Sequence, residues 1–191
     1  MVFGKHGATA TTPKDIMLGA GTFHRGLKWD ESGQKWAGDI IGATNGGGKI
    51  SIVGELYDLP IDGMLVKARG YTVKVGGAAS MEANFAQLSP DIIKMATLFE
   101  QGDTVGGSFV EYKDKATIKE SDYVEGFGFV GKTADGSKSI IVIFDYALCT
   151  SGFELEGKNK EAAVVKLTME AYAEVDGDLD TLPVKIYYPE V

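Results

Sequence analysis

Apolar and polar positions alternate along much of the chain, in short runs rich in Val, Ile, Tyr, Phe and Thr that glycines interrupt. A period of two sends successive side chains to opposite faces of a strand, so the pattern predicts antiparallel strands joined by turns. Tyr71, Val73 and Val75 alternate with Thr72 and Lys74, and Met81, Ala83 and Phe85 alternate with Ser80, Glu82 and Asn84. With Gly77-Ala78-Ala79 as the loop, residues 70–88 form a hairpin that sets Lys74 opposite Glu82 and Val75 opposite Met81. One face is then apolar, and the other carries a cross-strand ion pair. A second hairpin spans residues 122–146, where Asp135-Gly136 is a two-residue turn signal. Pairing across it puts Phe129 opposite Val142 and Phe127 opposite Phe144. Residues 164–175 alternate again, with Val165, Leu167, Met169 and Ala171 inward and Lys166, Thr168, Glu170 and Tyr172 outward. Asp176-Gly177 ends that run, and residues 182–188 predict a last short strand.

One segment has the helical period instead. Ile92, Ile93, Met95, Ala96 and Phe99 recur on one face, after Ser89 as cap, Pro90 at the first helical position and Asp91 at the positive end of the dipole. Gly102 is its expected stop, and the helix should cover the apolar face of a sheet. Residues 36–66 fit neither period. Asn45-Gly46-Gly47-Gly48 reads as a flexible tip, Ile50, Ile52 and Leu56 lie beyond it, and residues 59–63 form a turn. The segment predicts a long loop or arm whose apolar residues need a partner.

At 191 residues with 44% hydrophobic side chains, the chain suits one mainly β domain over residues 1–191 with a proper core. Glycine dominates the punctuation, 26 residues against 5 prolines. No run approaches the ~20 apolar residues that span a bilayer. Residues 1–18 lack a basic start and an apolar run, so no signal peptide is expected, and the expected product is cytoplasmic with no membrane partner. The lone cysteine, Cys149, lies in an apolar run and reads as a small buried hydrophobe.

The formal charge of −8 argues against a nucleic-acid grip, which needs a basic face. An acidic surface suits solubility, or a passage to which DNA must not adhere. Candidate chemistry is sparse. Gly126 to Gly131 spells GxGxxG, but Lys132 to Gly136 leads to another strand where a dinucleotide site needs a helix. Residues 42–50 miss a P-loop, because Ile50 stands where a magnesium-binding hydroxyl is required. Asp176, Asp178 and Asp180 resemble the start of a calcium loop, with Thr181 and Tyr187 at positions that need Gly and Glu. His6 and His24 have no zinc-site context. No catalytic residue, cofactor or metal site is expected, and the chain reads as a non-enzyme.

Taken in order, four segments resemble the phage tail tube (major tail protein) family. They are the Gly-rich lead Met17 to Gly26 into Trp29, the run Gly76 to Leu88 into Ser89-Pro90 and the helix, the late strand Val165 to Ala173, and the ending Asp178 to Tyr188. The resemblance implies a mainly β fold of two packed antiparallel sheets or a flattened barrel, with one flanking α-helix and the long loop or arm. It implies homo-oligomeric hexameric rings stacked into a tube in the virion tail, assembled in the host cytoplasm. Expected partners are tape-measure, tail terminator and baseplate or distal tail proteins, with DNA passing through without specific binding. On this reading Thr72, Lys74, Glu82 and Asn84 face the lumen. Thr44, Asn45, Gly46, Gly47, Gly48, Lys49, Ile50, Ile52 and Leu56 form the arm between subunits. The alternative is a small-ligand- or carbohydrate-binding β-barrel or sandwich, with Trp29 and Trp36 stacking on a sugar.

Overall fold

The structure, a computed structural model, describes residues 7–19, 21–156, 159–160 and 162–190. Residues 1–6 of the segment read for a signal peptide, His6 among them, lie outside the described residues, as does Ala20 of the Gly-rich lead. The strands are β1 (Thr22–Asp30), β2 (Lys35–Ile40), β3 (Thr44–Asp58), β4 (Thr72–Phe85), β5 (Glu100–Val105), β6 (Phe109–Lys113), β7 (Val124–Lys132), β8 (Ser139–Cys149), β9 (Val165–Tyr172) and β10 (Val184–Tyr187). The helix α1 (Pro90–Thr97) falls between β4 and β5. No helix among the described residues is long and apolar enough to cross a membrane.

The fold is mainly β, with two antiparallel sheets of unequal size. The large one runs β2-β1-β7-β8-β9-β4-β3, with β10 paired to β8, and β5 and β6 form the small one. The large sheet does not close into a barrel. It curls, so that Phe23 of β1 meets Phe85 of β4 edge-on at 6.0 Å although three strands separate them along the sheet. The concave side buries Phe23, Phe127, Phe144, Met81, Leu167 and Met169, and Ile92 and Ala96 of α1 close over it. Cys149 lies in this core as a buried free thiol.

The second hairpin has the expected register, Phe129 opposite Val142 and Phe127 opposite Phe144. Its turn is longer than two residues, because Thr133 and Lys138 still bond across it and Gly136 takes the left-handed conformation inside the connection. Along β8 the inward face changes parity. Val142 and Phe144 point into the core, and then Ala147 and Cys149 do. The switch falls at Asp145-Tyr146 beside Gly126, whose φ of +58° bends β7 there. Ser89 caps α1 as expected, its hydroxyl accepting from the Ile92 N–H at 3.3 Å. The stop is not Gly102, which lies in β5; Leu98 takes the left-handed C-cap conformation at φ +57°.

The first hairpin is not formed. Residues 72–85 are one continuous strand, β4, and its partner is β3. Gly76 and Gly77 stay in extended backbone opposite Glu55 and Gly54 instead of turning. Gly77 serves close approach, since a Cβ there would lie 2.8 Å from the Val53 carbonyl oxygen. The segment 36–66 is accordingly not a loop. It supplies all of β2 but Lys35 and the whole of β3, and only residues 59–71 connect β3 to β4.

Candidate functional site

β4 pairs with β9 only from Ser80 to Phe85, whereas it pairs with β3 down to Thr72. Residues 52–58 and 72–79 therefore form a two-stranded ribbon with no third strand among the described residues. Apolar side chains lie bare along it: Val53 is 59% exposed and Leu56 68%, and the connecting turn carries Leu65 at 97%. Ile52, Tyr57, Val73 and Val75 are exposed as well. A two-stranded ribbon without a covered face is marginal in water. Its local ties are polar: Asp58 accepts from the Thr72 hydroxyl at 2.6 Å and pairs with Lys67, and the Leu59 N–H bonds the Tyr71 carbonyl at 2.8 Å. Those bonds lower the Asp58 pKa, Lys67 contributing most and Thr72 next.

The segment expected to be a loop or arm is a strand, and the residues expected to form the arm fall in two parts of it. Thr44 pairs with Phe85, and Asn45, Gly46 and Gly47 form a bulge inside β3 before Gly48 pairs with Ala83. The Gly47 carbonyl accepts from the Asn84 amide at 3.3 Å, and a Cβ on Gly48 would lie 2.6 Å from the Phe23 ring. Asn45, Gly46, Gly48 and Lys49 are exposed, but they belong to a bulged, paired strand and not to a flexible tip. Ile50 packs on the subunit's own core. Ile52 and Leu56 are on the exposed ribbon as expected. Val53, Tyr57, Val73 and Val75 join them there, which a loop at Gly77-Ala78-Ala79 conceals because it sets Val75 opposite Met81 and leaves β3 without a partner. Ile50, Ile52 and Val53, which put apolar side chains on both faces of one strand, are the available signal.

The four residues assigned to one polar face do not share it. Lys74 pairs with Leu56 and Gly76 with Glu55, so Val75 is an extra residue in β4. A one-residue bulge reverses the face of everything beyond it. Glu82 and Asn84 lie on the side of Lys49 and Ser51, while Lys74 and Thr72 lie on the side of Leu56, Ile52 and Ile50. Lys74 does not meet Glu82. Instead Glu82 sits between Lys49 at 3.3 Å on β3 and Lys166 at 2.8 Å on β9. Both lysines hold its carboxyl low, Lys166 more strongly.

On the convex side, beyond its bend at Gly26, β1 crosses β7 and carries β2 over β8. Leu27, Ile141 and Ile143 are buried there, with Trp36 packed on them. Trp29 meets Trp36 edge-on at 5.4 Å and Trp36 meets Tyr187 at 4.6 Å, beside a groove of about 760 Å³ that also touches Asp145 and Lys185. The GxGxxG stretch lies in β7 and is followed by the turn into β8, with no helix. Gly126 and Gly128 serve the crossing of β1, since a Cβ on Gly126 would lie 2.9 Å from the Leu27 nitrogen. Asp178 accepts from the Asp180 N–H and the Thr181 hydroxyl, an Asx-type turn. Among the described residues no group of three or more His, Cys, Asp or Glu is placed to hold a metal ion. Comparison of the chain with protein-family models and with curated proteins found no match.

Proposed function

We propose that the chain is a structural subunit that works by self-association, on the plan of the phage tail tube proteins it resembles. In this reading copies close into hexameric rings, the rings stack into a tube in the virion tail, and DNA passes through the bore. The observation that carries it is the β3–β4 ribbon, which exposes apolar side chains on both faces and has no third strand among the described residues. Such a ribbon is completed only by another surface, and a second copy is always available. The large sheet supports the same reading, because its path ends in two open edges, β2 and β3. Ring closure pairs such edges, and head-to-tail stacking is the open-ended form of a heterologous contact.

The lumen assignment is narrowed to the face of Glu82 and Asn84. Glu82 is flanked by Lys49 and Lys166, and Glu170 opposite Ser80 lies on the same face, so two lysines meet two carboxylates there and the strip would neither grip nor strongly repel phosphates. Tape-measure, terminator and distal tail proteins are the partners this role requires. Negative-stain microscopy and sedimentation of the purified chain, from dilute to concentrated, test the proposal. Rings or tubes are the expected result. A monomer at every concentration overturns it and favours the second reading, a small-ligand- or carbohydrate-binding module. The groove beside Trp29, Trp36 and Tyr187 is the observation in favour of that reading.

A further inference from the structure

The ends of β7, β8 and β9 bring three tyrosines to one place. Tyr146 on β8 pairs with Tyr172 on β9, and Tyr123 immediately precedes β7. The Tyr123 and Tyr172 rings stand nearly perpendicular, 75° apart with centroids 5.2 Å apart, so they make two walls of a corner. With Tyr146, Glu120, Glu174 and Val175 they line a cavity of about 450 Å³ that, among the described residues, no lysine or arginine lines. Neither Glu120 nor Glu174 is in an ion pair among the described residues. The site is therefore anionic and aromatic at once.

The geometry points to a binding site for a free organic cation, an alkylammonium or guanidinium head, caged by Tyr123, Tyr146 and Tyr172 and neutralised by Glu120 and Glu174. A ring face carries the negative part of the aromatic quadrupole, so perpendicular rings around a small volume attract a cation from two sides. The carboxylates add a long-range pull toward the same point. An anion meets only repulsion there, and a neutral guest gains nothing from either term. The Tyr146 phenol registers this field: its pKa is pushed up, most by Glu174, then by burial, then by Glu125, Asp145 and Glu120. The cage shares no residue with the β3–β4 ribbon, so this inference stands apart from the assembly proposal.

Calorimetric titration of the full chain with choline, methylguanidinium and 3,3-dimethyl-1-butanol tests it, the last having choline's shape without its charge. Choline or methylguanidinium should saturate at least about tenfold more tightly than the neutral isostere. Joint Glu120→Gln and Glu174→Gln substitution should weaken the cation about tenfold and leave the isostere unchanged. Tyr172→Phe keeps the ring face and should retain binding, which separates the cage from a hydroxyl hydrogen bond. Equal binding of cation and isostere, absence of saturable binding by either cation, or indifference to the Gln pair overturns the assignment. So does loss of choline binding when the protein is concentrated, which would place a neighbouring copy's own cation in the cage.

Discussion

A Cβ on Gly128 would lie 2.4 Å from Cδ2 of Leu27, a side chain buried to 3% exposure. β1 can cross the convex face of β7 only because that position has no side chain. Gly128→Ala should therefore lower the unfolding free energy by about 1–3 kcal/mol, the usual range for overpacking a filled site. Gly126→Ala should also destabilise, because its φ is +58° and a Cβ there approaches the Leu27 backbone. Gly107→Ala separates strain from clash, since Gly107 has φ +71° and open space around it. Urea denaturation should rank Gly107→Ala as the mildest of the three.

Asp135 organises the β7–β8 turn through its charge. The Ser137 N–H, then the Ser137 and Thr133 hydroxyls, donate to its carboxylate and lower its pKa from 3.8 to about 2. A carboxyl depressed by folding contributes stability that is fully present above its unfolded pKa. That contribution is lost as pH falls from the ordinary value toward about 2. Melting temperatures recorded between pH 5 and 2 should drop more steeply for the wild type than for Asp135→Asn, which has no charge to lose there.

Local period made the late elements legible. The β7–β8 register, the inward set of β9 and the cap of α1 all follow from neighbours a few residues apart, and each is found as the sequence implies. The failures come from contacts distant in sequence. Gly76-Gly77 has the composition of a turn, yet it stays extended because β3 approaches closely at Val53, a residue far earlier in the chain. Reading a turn there placed Lys74 opposite Glu82, reduced β3 to a loop and put four residues on one face. The true division depends on where Val75 is left unpaired, which no periodicity within β4 announces. The three-tyrosine cage was invisible for the same reason, since Tyr123, Tyr146 and Tyr172 meet only after three strands align.

Lys115 and Asp122 form an ion pair whose side chains keep only 9% and 11% of their exposure. Asp122 also accepts from the Lys119 N–H at 2.7 Å. Burial alone would raise the Asp122 pKa, but the bonds from Lys115 and the Lys119 N–H outweigh it and the net direction is down. The pair fixes the chain between β6 and β7. Lys115→Met should strand a desolvated carboxylate and cost about 3 kcal/mol. Replacing both partners, Lys115→Met with Asp122→Leu, should recover a large part of that loss. A double-mutant cycle by denaturant unfolding measures both values.

Leu65 and Val66 at the tip of the ribbon are 97% and 78% exposed, so the isolated subunit gains almost nothing from burying them. Replacing both with Asp should leave the unfolding free energy within about 0.5 kcal/mol of the wild type, as for surface positions generally. Ile50→Asp should behave oppositely, because Ile50 packs against Met81 and its neighbours, and a charge there would be buried without a partner. If the ribbon is the contact between copies, Leu65→Asp with Val66→Asp should abolish ring or tube formation in a subunit that melts normally. Microscopy paired with thermal unfolding reads both quantities from one preparation. Normal tubes from that variant would remove the ribbon tip from the interface and shift attention to the open edges of β2 and β3.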